Sequence, residues 1–337
     1  MRALIDAIRS LWDALLPGSD RGDGAVVDAA SAARRRVAKR LAPRLPPAPV
    51  GGTHAIDLAE IEIYDKRRRK ALPLRITYPA QAAHAFPVIG FSHGAGGSHA
   101  DYPLLIQHWA AHGYICLQPS HADATLPGEA ASQDRLRHWA SRPVDISFLF
   151  DSLDMIETAV PELSGRLDTG RLGASGHSFG AGTAQLLAGA RLRGHPGRQR
   201  FADKRMRAIL LLAPQGSGQL HGTNSWANVR IPMMTITGTR DRGRGGTPGW
   251  RSEPFHGAPP GNKYLIVIEG GRHDFGGISR SATSFPYARD EREAGITQQA
   301  SLSFWDAHLK GSAEAEQFLK RGGLRDMLGE DARLELK

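Results

Sequence analysis

The chain has 337 residues and carries 43 Lys and Arg against 34 Asp and Glu, a net charge of +9. Its length predicts one large domain or two small ones, and a chain of this size buries enough surface to fold without cross-links. Its one cysteine, Cys116, excludes an intramolecular disulfide framework and a cysteine-rich zinc module.

Residues 1–52 predict an N-terminal extension. Apolar residues between Leu4 and Leu16 recur at helical spacing, and a Pro-Gly pair ends this amphipathic helix. Asp6 and Arg9 interrupt the apolar run, so it fits neither a signal peptide nor a membrane span, and we expect a cytoplasmic protein. We expect the helix to pack on its own domain. The alternatives are a homodimer contact or a peripheral membrane contact, so monomer and homodimer both stay open.

Two basic runs, at 34–36 and 66–70, lie in the first 70 residues. Neither run is accompanied by a nucleic-acid-binding motif or by interleaved aromatic side chains. We therefore expect a solvated basic face and no nucleic-acid partner.

Residues 53–312 predict one α/β domain. Two alternating strands open it, and then continuous apolar runs alternate with helix candidates, a pattern typical of a largely parallel sheet buried on both faces. We predict about eight strands flanked by helices, followed by a charged helical tail over 313–337. The predicted strands are 56–64, 72–78, 87–92, 114–118, 171–174, 208–213, 233–238 and 264–269, and the predicted helices are 104–111, 145–160, 178–187 and 302–309.

The stretch from Gly176 to Gly180, Gly-His-Ser-Phe-Gly, fits the pattern G-x-S-x-G of a nucleophile elbow. An apolar strand precedes it and an Ala- and Leu-rich helix follows, which is the context that the motif requires. In such a turn the Ser178 hydroxyl projects above the sheet edge, and a Cβ at either glycine would collide with the neighbouring strand or helix. The helix N-terminus places backbone N–H groups beside developing negative charge.

A serine nucleophile needs a base and an acid that orients the base. His273 follows the strand at 264–269 and Asp241 follows the strand at 233–238, so both fall at the carboxyl edge of a parallel sheet. Their order after the serine, acid and then histidine, is the one expected for an elbow. Glu269 and Asp274 are the competing acids.

The oxyanion of a tetrahedral intermediate needs two N–H donors. The residue after the nucleophile, Phe179, supplies one. We assign the second to Ala95, in the glycine-rich turn at 91–98, where glycines let the backbone approach a substrate. We predict that His93 braces this turn by hydrogen bonds rather than acting as a second base.

The predicted substrate contacts are less defined. His121 and Asp123 follow the fourth strand, where they could line an acyl or alcohol pocket, and they lack partners at metal-ligand spacing. Trp250 lies in a loop region near the site and could stack on an aromatic substrate or pack at the rim. The remaining candidates for substrate contact are His93, Gly94 and His177.

These motifs together resemble the α/β-hydrolase superfamily. More narrowly, the chain is similar to bacterial relatives of platelet-activating factor acetylhydrolase, to cutinase-like polyester hydrolases and to the related dienelactone hydrolases. The resemblance covers about residues 56–310 and rests on F-S-H-G-A-G-G at 91–97, R-P-V-D-I-S-F-L-F-D at 142–151, G-H-S-F-G at 176–180, T-G-T-R-D at 237–241 and the His273 loop. It implies an α/β-hydrolase fold and a serine carboxylic ester hydrolase without metal or organic cofactor.

The sequence departs from these relatives at two points. Secreted polyester hydrolases carry signal peptides and often a disulfide, and their oxyanion residue is often bulkier than Ala95. We therefore expect small, short-acyl esters as substrates. The alternatives are the same triad acting on polyester or aromatic esters, amides, thioesters or peroxide, and a non-catalytic binding module. Dienelactone hydrolases use a cysteine nucleophile, and Ser178 argues against that chemistry.

Overall fold

The computed structural model describes residues 54–81, 84–124, 135–193, 201–218, 220–242, 247, 249–278 and 289–337. The predicted N-terminal helix and the basic run at 34–36 lie outside these residues, so their membrane, dimer and cytoplasmic assignments stay predictions. Within the described residues, no helix is long and apolar enough to cross a membrane.

Nine strands form one sheet, in the order β1-β2-β4-β3-β5-β6-β7-β8-β9. Adjacent strands from β4 to β8 in this order pair in parallel, whereas β2 and β9 run against the rest. The strands are β1 (Ile56–Asp65), β2 (Lys70–Pro79), β3 (Phe86–Ser92), β4 (Ile115–Pro119), β5 (Leu167–His177), β6 (Met206–Leu212), β7 (Met233–Gly238), β8 (Lys263–Ile268) and β9 (Ala332–Leu336).

Helices cover both faces of this sheet. The single helix predicted over 145–160 is two helices, because helical geometry is interrupted at Ser152. The first of the two begins earlier than predicted, at Arg135. The helices are α1 (Pro103–Ala111), α2 (Arg135–Asp151), α3 (Leu153–Ala159), α4 (Phe179–Leu187), α5 (Gly249–Gly257), α6 (Glu291–Trp305), α7 (Ala313–Lys320) and α8 (Gly323–Leu328). A π-turn, Asp306–Lys310, follows α6.

The end of the chain differs from the prediction of a helical tail. After α7 and α8 it forms β9, which pairs antiparallel with β8 and closes one edge of the sheet as the ninth strand. The signal was present in the sequence, because Ala332 and Leu334 alternate with Arg333 and Glu335. The two apolar side chains are buried and the two charged ones are exposed.

The apolar core lies on both sides of the sheet. One cluster packs α2, α3 and α4 against one face, and a second packs α1, α6 and the C-terminal helices against the other. Every residue of β3, β7 and β8 is buried. Burial on both faces is why these strands appear in the sequence as continuous apolar runs rather than as alternating patterns.

Candidate active site

The carboxyl ends of β3, β5, β7 and β8 meet at one edge of the sheet, because these strands run in the same direction. The turn at 93–98, Ser178, Asp241 and His273 each follow one of these strands. Strand direction alone therefore brings the four predicted segments to the same edge, where sites of parallel sheets form.

Ser178 joins β5 to α4 in a strained conformation. Its backbone angles are φ 52° and ψ −115°, outside the regions that a serine ordinarily adopts. Its N–H donates a hydrogen bond to the carbonyl of Leu212 on β6, at 2.8 Å. Strain of this kind persists only where surrounding contacts hold it, and it concentrates at functional sites.

The two glycines of the elbow are required by close backbone approaches. A Cβ on Gly176 would overlap the carbonyl of Gly180 in the first turn of α4, and a Cβ on Gly180 would overlap the carbonyl of Ser92 at the end of β3. The elbow is therefore pressed directly against the start of the glycine-rich turn. This contact brings Phe179 and the turn that contains Ala95 together.

His273 and Asp241 form a hydrogen-bonded pair. The Nδ1 atom of His273 lies 3.0 Å from Oδ2 of Asp241, whose side chain is 3% exposed. Burial by itself would raise the pKa of the Asp241 carboxyl, but the hydrogen bond and charge of His273 and the charge of Arg251 outweigh burial and lower it. Of the competing acids, Glu269 is exposed and pairs with Arg333 at 3.2 Å, and Asp274 accepts turn hydrogen bonds through its backbone carbonyl.

His177 lies behind the site rather than on an open surface, which differs from its prediction as a substrate contact. Its ring centroid is 4.5 Å from that of His273, and its Nε2 is 2.7 Å from the His273 carbonyl oxygen. Its Nδ1 is 3.0 Å from the Tyr102 hydroxyl, which accepts a hydrogen bond from the N–H of Gly94 at 2.9 Å. Burial lowers the pKa of His177 well below its usual value.

The tautomer of His177 follows from these partners. A carbonyl oxygen only accepts, so Nε2 carries the proton and Nδ1 accepts from the tyrosine hydroxyl. One directed chain of hydrogen bonds then runs from Gly94 through Tyr102 and His177 to the backbone of His273. It uses the N–H of Gly94, which leaves that group committed to Tyr102 rather than to a substrate.

His93 braces the glycine-rich turn from inside. Its ring is buried, with Nδ1 2.7 Å from the Gly94 carbonyl oxygen and Nε2 accepting from the backbone N–H of His121 at 3.0 Å. With both ring nitrogens bonded to backbone groups, His93 fits the brace that the sequence predicts and not the substrate contact. Ala95 is exposed in the same turn.

Sequence reasoning missed the importance of Arg142, which is fully buried on α2. It pairs with Asp123 at 2.5 Å and donates to the carbonyls of His93 and Gly94, the latter at 3.2 Å. In a trans peptide the C=O and the next N–H point in opposite directions. Because the Gly94 carbonyl is held inward by Arg142 and His93, the N–H of Ala95 points the opposite way.

The same guanidinium also reaches the elbow. It lies 4.5 Å from the ring centroid of Phe179, which stacks on Trp139 at 5.1 Å with the planes 10° apart. Arg142 therefore contacts both segments that carry the predicted oxyanion donors. Its motif, R-P-V-D, was visible in the sequence, but nothing local showed that this arginine is buried.

His121 belongs to a second Ser-His-Asp chain that is closed to substrate. Its Nε2 is 2.9 Å from Oγ of Ser92 and its Nδ1 is 2.8 Å from Oδ2 of Asp145, and all three side chains are buried. Arg68 and Lys70 pair with Asp145 at 2.5 and 2.7 Å. Both His121 and Asp123 are committed to buried ion pairs or hydrogen bonds, so these contacts do not support their predicted place in an acyl or alcohol pocket.

Trp250, the last predicted substrate contact, is half-buried at the start of α5. Its indole N–H donates to the carbonyl of Ser217 at 2.7 Å, and the guanidinium of Arg251 lies 5.4 Å from its ring centroid. These contacts fix its orientation, and its role toward substrate stays a prediction. No group of three or more His, Cys, Asp or Glu side chains in the described part of the chain is arranged to hold a metal ion.

The mostly parallel nine-stranded sheet flanked by helices is that of an α/β hydrolase. A comparison with family models agrees, because residues 49–193 match the family described as Chlorophyllase, an α/β-hydrolase-type lipase and esterase family. The fold and the match together indicate a hydrolase of ester bonds. A search of curated proteins finds no match. The matched region contains Ala95 and Ser178 and ends before Asp241 and His273. The narrower resemblance to acetylhydrolases and polyester hydrolases stays a prediction.

Proposed function

We propose that the protein is a serine carboxylic ester hydrolase that acts on small, short-acyl esters. Ser178 is the nucleophile, His273 the general base and Asp241 the acid that orients it. The backbone N–H groups of Ala95 and Phe179 form the oxyanion hole. The observation that carries the proposal is the strained serine turn pressed against a glycine-rich turn, at the same sheet edge as an Asp-bonded histidine.

The reaction proceeds in two acyl transfers. The Oγ of Ser178 attacks the ester carbonyl carbon while its proton passes to Nε2 of His273. The tetrahedral oxyanion accepts hydrogen bonds from the two backbone N–H groups, and removal of one such donor costs about 3–4 kcal/mol of transition-state stabilisation. When the intermediate collapses, the C–O bond to the alcohol breaks and the alcohol leaves with the proton from Nε2. Water repeats the sequence on the acyl-enzyme and releases the acid.

Asp241 determines which nitrogen of His273 is basic. Its Oδ2 accepts the proton of Nδ1 at 3.0 Å, so Nε2 is the nitrogen left to accept a proton. The same carboxylate stabilises the imidazolium that forms as Ser178 attacks. Its lowered pKa keeps it ionised at neutral pH.

Hydrolysis of p-nitrophenyl acetate, butyrate, octanoate and palmitate by the full-length chain tests the proposal, with and without a chelator. We expect turnover that is highest on short acyl chains, is insensitive to chelator and falls by about 10⁴-fold or more in Ser178→Ala. The matched control is Ser175→Ala, because Ser175 lies on the same strand and its buried Oγ has no hydrogen-bond partner among the described residues.

Three results would contradict parts of the proposal. Full turnover in Ser178→Ala excludes Ser178 as the nucleophile. Equal losses of turnover in Ser178→Ala and Ser175→Ala indicate damage to the fold instead. A preference for palmitate removes the short-acyl assignment. Because the matched family is described as Chlorophyllase, chlorophyll is included in the panel together with a polyester, an anilide and a thioester. Turnover of one of these above the short esters moves the assignment to that substrate class.

A further inference from the structure

A buried arginine contacts both the acid and the base of the proposed triad. Arg251 lies on α5 and is 6% exposed. Its Nε is 2.7 Å from Oδ1 of Asp241, and its Nη2 is 3.2 Å from Nδ1 of His273. Its Nη1 donates to the carbonyls of Ala213 and Pro214, at 2.6 and 3.2 Å.

These contacts divide the Asp241 carboxylate between two partners. Oδ1 forms an ion pair with the arginine and Oδ2 faces the histidine, so the guanidinium charge holds one carboxylate oxygen and leaves the other for Nδ1. Two carbonyl oxygens hold the guanidinium in turn, and a planar guanidinium keeps its hydrogen-bonding geometry better than a flexible ammonium group. The orientation of the acid is therefore built on a rigid group rather than on the loop after β7 alone.

Arg251 and Asp241 approach the same nitrogen of His273. A general base needs the proton on Nδ1, and that proton goes to Asp241, so Nη2 of Arg251 faces a nitrogen to which it cannot then donate. The guanidinium therefore acts on the pair through its contact with Asp241 and not through a hydrogen bond to His273.

We propose that Arg251 is a positioning residue of the Asp241–His273 pair. This inference rests on the proposed function, since it assigns a role within that triad. It adds a residue that neither the elbow motif nor the order of acid and histidine reveals.

The test is the measurement of kcat and KM on p-nitrophenyl butyrate for Arg251→Met and Arg251→Lys. The loss of carboxylate orientation lowers the kcat of the Met variant by about ten- to a hundredfold, with KM unchanged because Arg251 does not touch substrate. The Lys variant keeps a positive charge beside Asp241 but loses the planar guanidinium, so its kcat falls by less.

The control is Arg166→Met. Arg166 is also a buried arginine that donates to two carbonyls, those of Glu162 and Pro79, but it precedes β5 at the opposite edge of the sheet. We expect a loss of thermal stability with an unchanged kcat. Melting temperatures of all variants are measured alongside, so that rates are compared where each is folded.

The outcomes separate this inference from the proposed function. If Arg251→Met keeps the wild-type kcat, or if its loss of activity lies in KM alone, Arg251 does not position the pair and the inference fails, while the proposed function stands. If turnover does not depend on Ser178, the proposed function fails first. If Arg251→Met does not fold, the Lys variant decides, because a wild-type kcat in that variant excludes a positioning role.

Discussion

Replacing Gly180 by alanine measures how closely the elbow is pressed against the glycine-rich turn. The new Cβ would overlap the carbonyl oxygen of Ser92 and would lie 2.5 Å from the Ser92 carbonyl carbon and 2.7 Å from the His93 carbonyl oxygen. Ordinary contact begins at 3.4 Å, so the carbon alone must move by about 0.9 Å (3.4 − 2.5). The atoms that must move are backbone, on both sides, and cannot rotate away.

A displacement of this size separates the predicted oxyanion donors. A misplacement of about 1 Å costs about a hundredfold in rate, and overpacking costs about 1–3 kcal/mol in the free energy of unfolding. We expect Gly180→Ala to lose about a hundredfold in kcat on p-nitrophenyl butyrate and to unfold at lower urea concentration. KM changes little, because the donors act on the transition state more than on bound ester.

The matched control is Gly295→Ala. Gly295 lies within α6 and a Cβ there would meet no heavy atom of a neighbouring described residue within 4 Å, so alanine adds helix stability of about 0.5–1 kcal/mol without a clash. We expect unchanged kinetics and a higher urea midpoint. A wild-type kcat in Gly180→Ala, measured on protein whose circular dichroism matches wild type, would show that the close approach does not position the catalytic backbone.

Three further predictions follow from buried polar groups. Tyr102→Phe leaves the N–H of Gly94 and Nδ1 of His177 without their shared hydroxyl, so kcat falls about tenfold and stability by about 1–3 kcal/mol in urea titrations; an unchanged kcat removes the hydrogen-bond chain from catalysis. Arg142→Gln breaks the buried ion pair with Asp123 and lowers the free energy of unfolding by about 3–5 kcal/mol, whereas a loss below about 1 kcal/mol would contradict the buried pair. Burial lowers the pKa of four histidines to about 4, so between pH 6.5 and 4 the unfolded chain binds protons that the folded chain does not, and stability falls as the pH falls through that range. These four histidines are His108, His121, His221 and His308. A urea midpoint that is equal at pH 4.5 and pH 7 would refute this loss of stability.

Local chemistry explains what could be predicted. Strands buried on both faces must be apolar throughout, so β3, β7 and β8 were recognisable as continuous runs. The elbow was recognisable because its two glycines lie two residues on either side of Ser178, between an apolar strand and a helix, although the backbone that Gly180 approaches is that of Ser92 on β3. The order of Asp241 and His273 followed from the strands that precede them.

The prediction for the end of the chain failed because the sequence pattern does not show the partner strand. The segment after α8 has alternating apolar and charged residues, but five such residues predict a strand only when a partner edge is available. The edge of β8 is that partner, and it is contributed by residues about 70 positions earlier. The helical prediction for 313–337 missed the strand because the residues of the segment do not show which distant strand it pairs with.

The sequence alone determined eight of the nine described strands and the segments that follow them at the carboxyl edge, because each depends on residues close together in the chain. Tertiary structure decided which polar side chains are buried and with whom. His121 and His273 both follow strands and both bond an aspartate. Packing under α2 buries the side chain of His121, whereas the side chain of His273 stays a quarter exposed. Arg142, Arg251 and Tyr102 resemble surface residues in the sequence. Burial gives them fixed partners, since a polar group removed from water must find a hydrogen bond inside the protein.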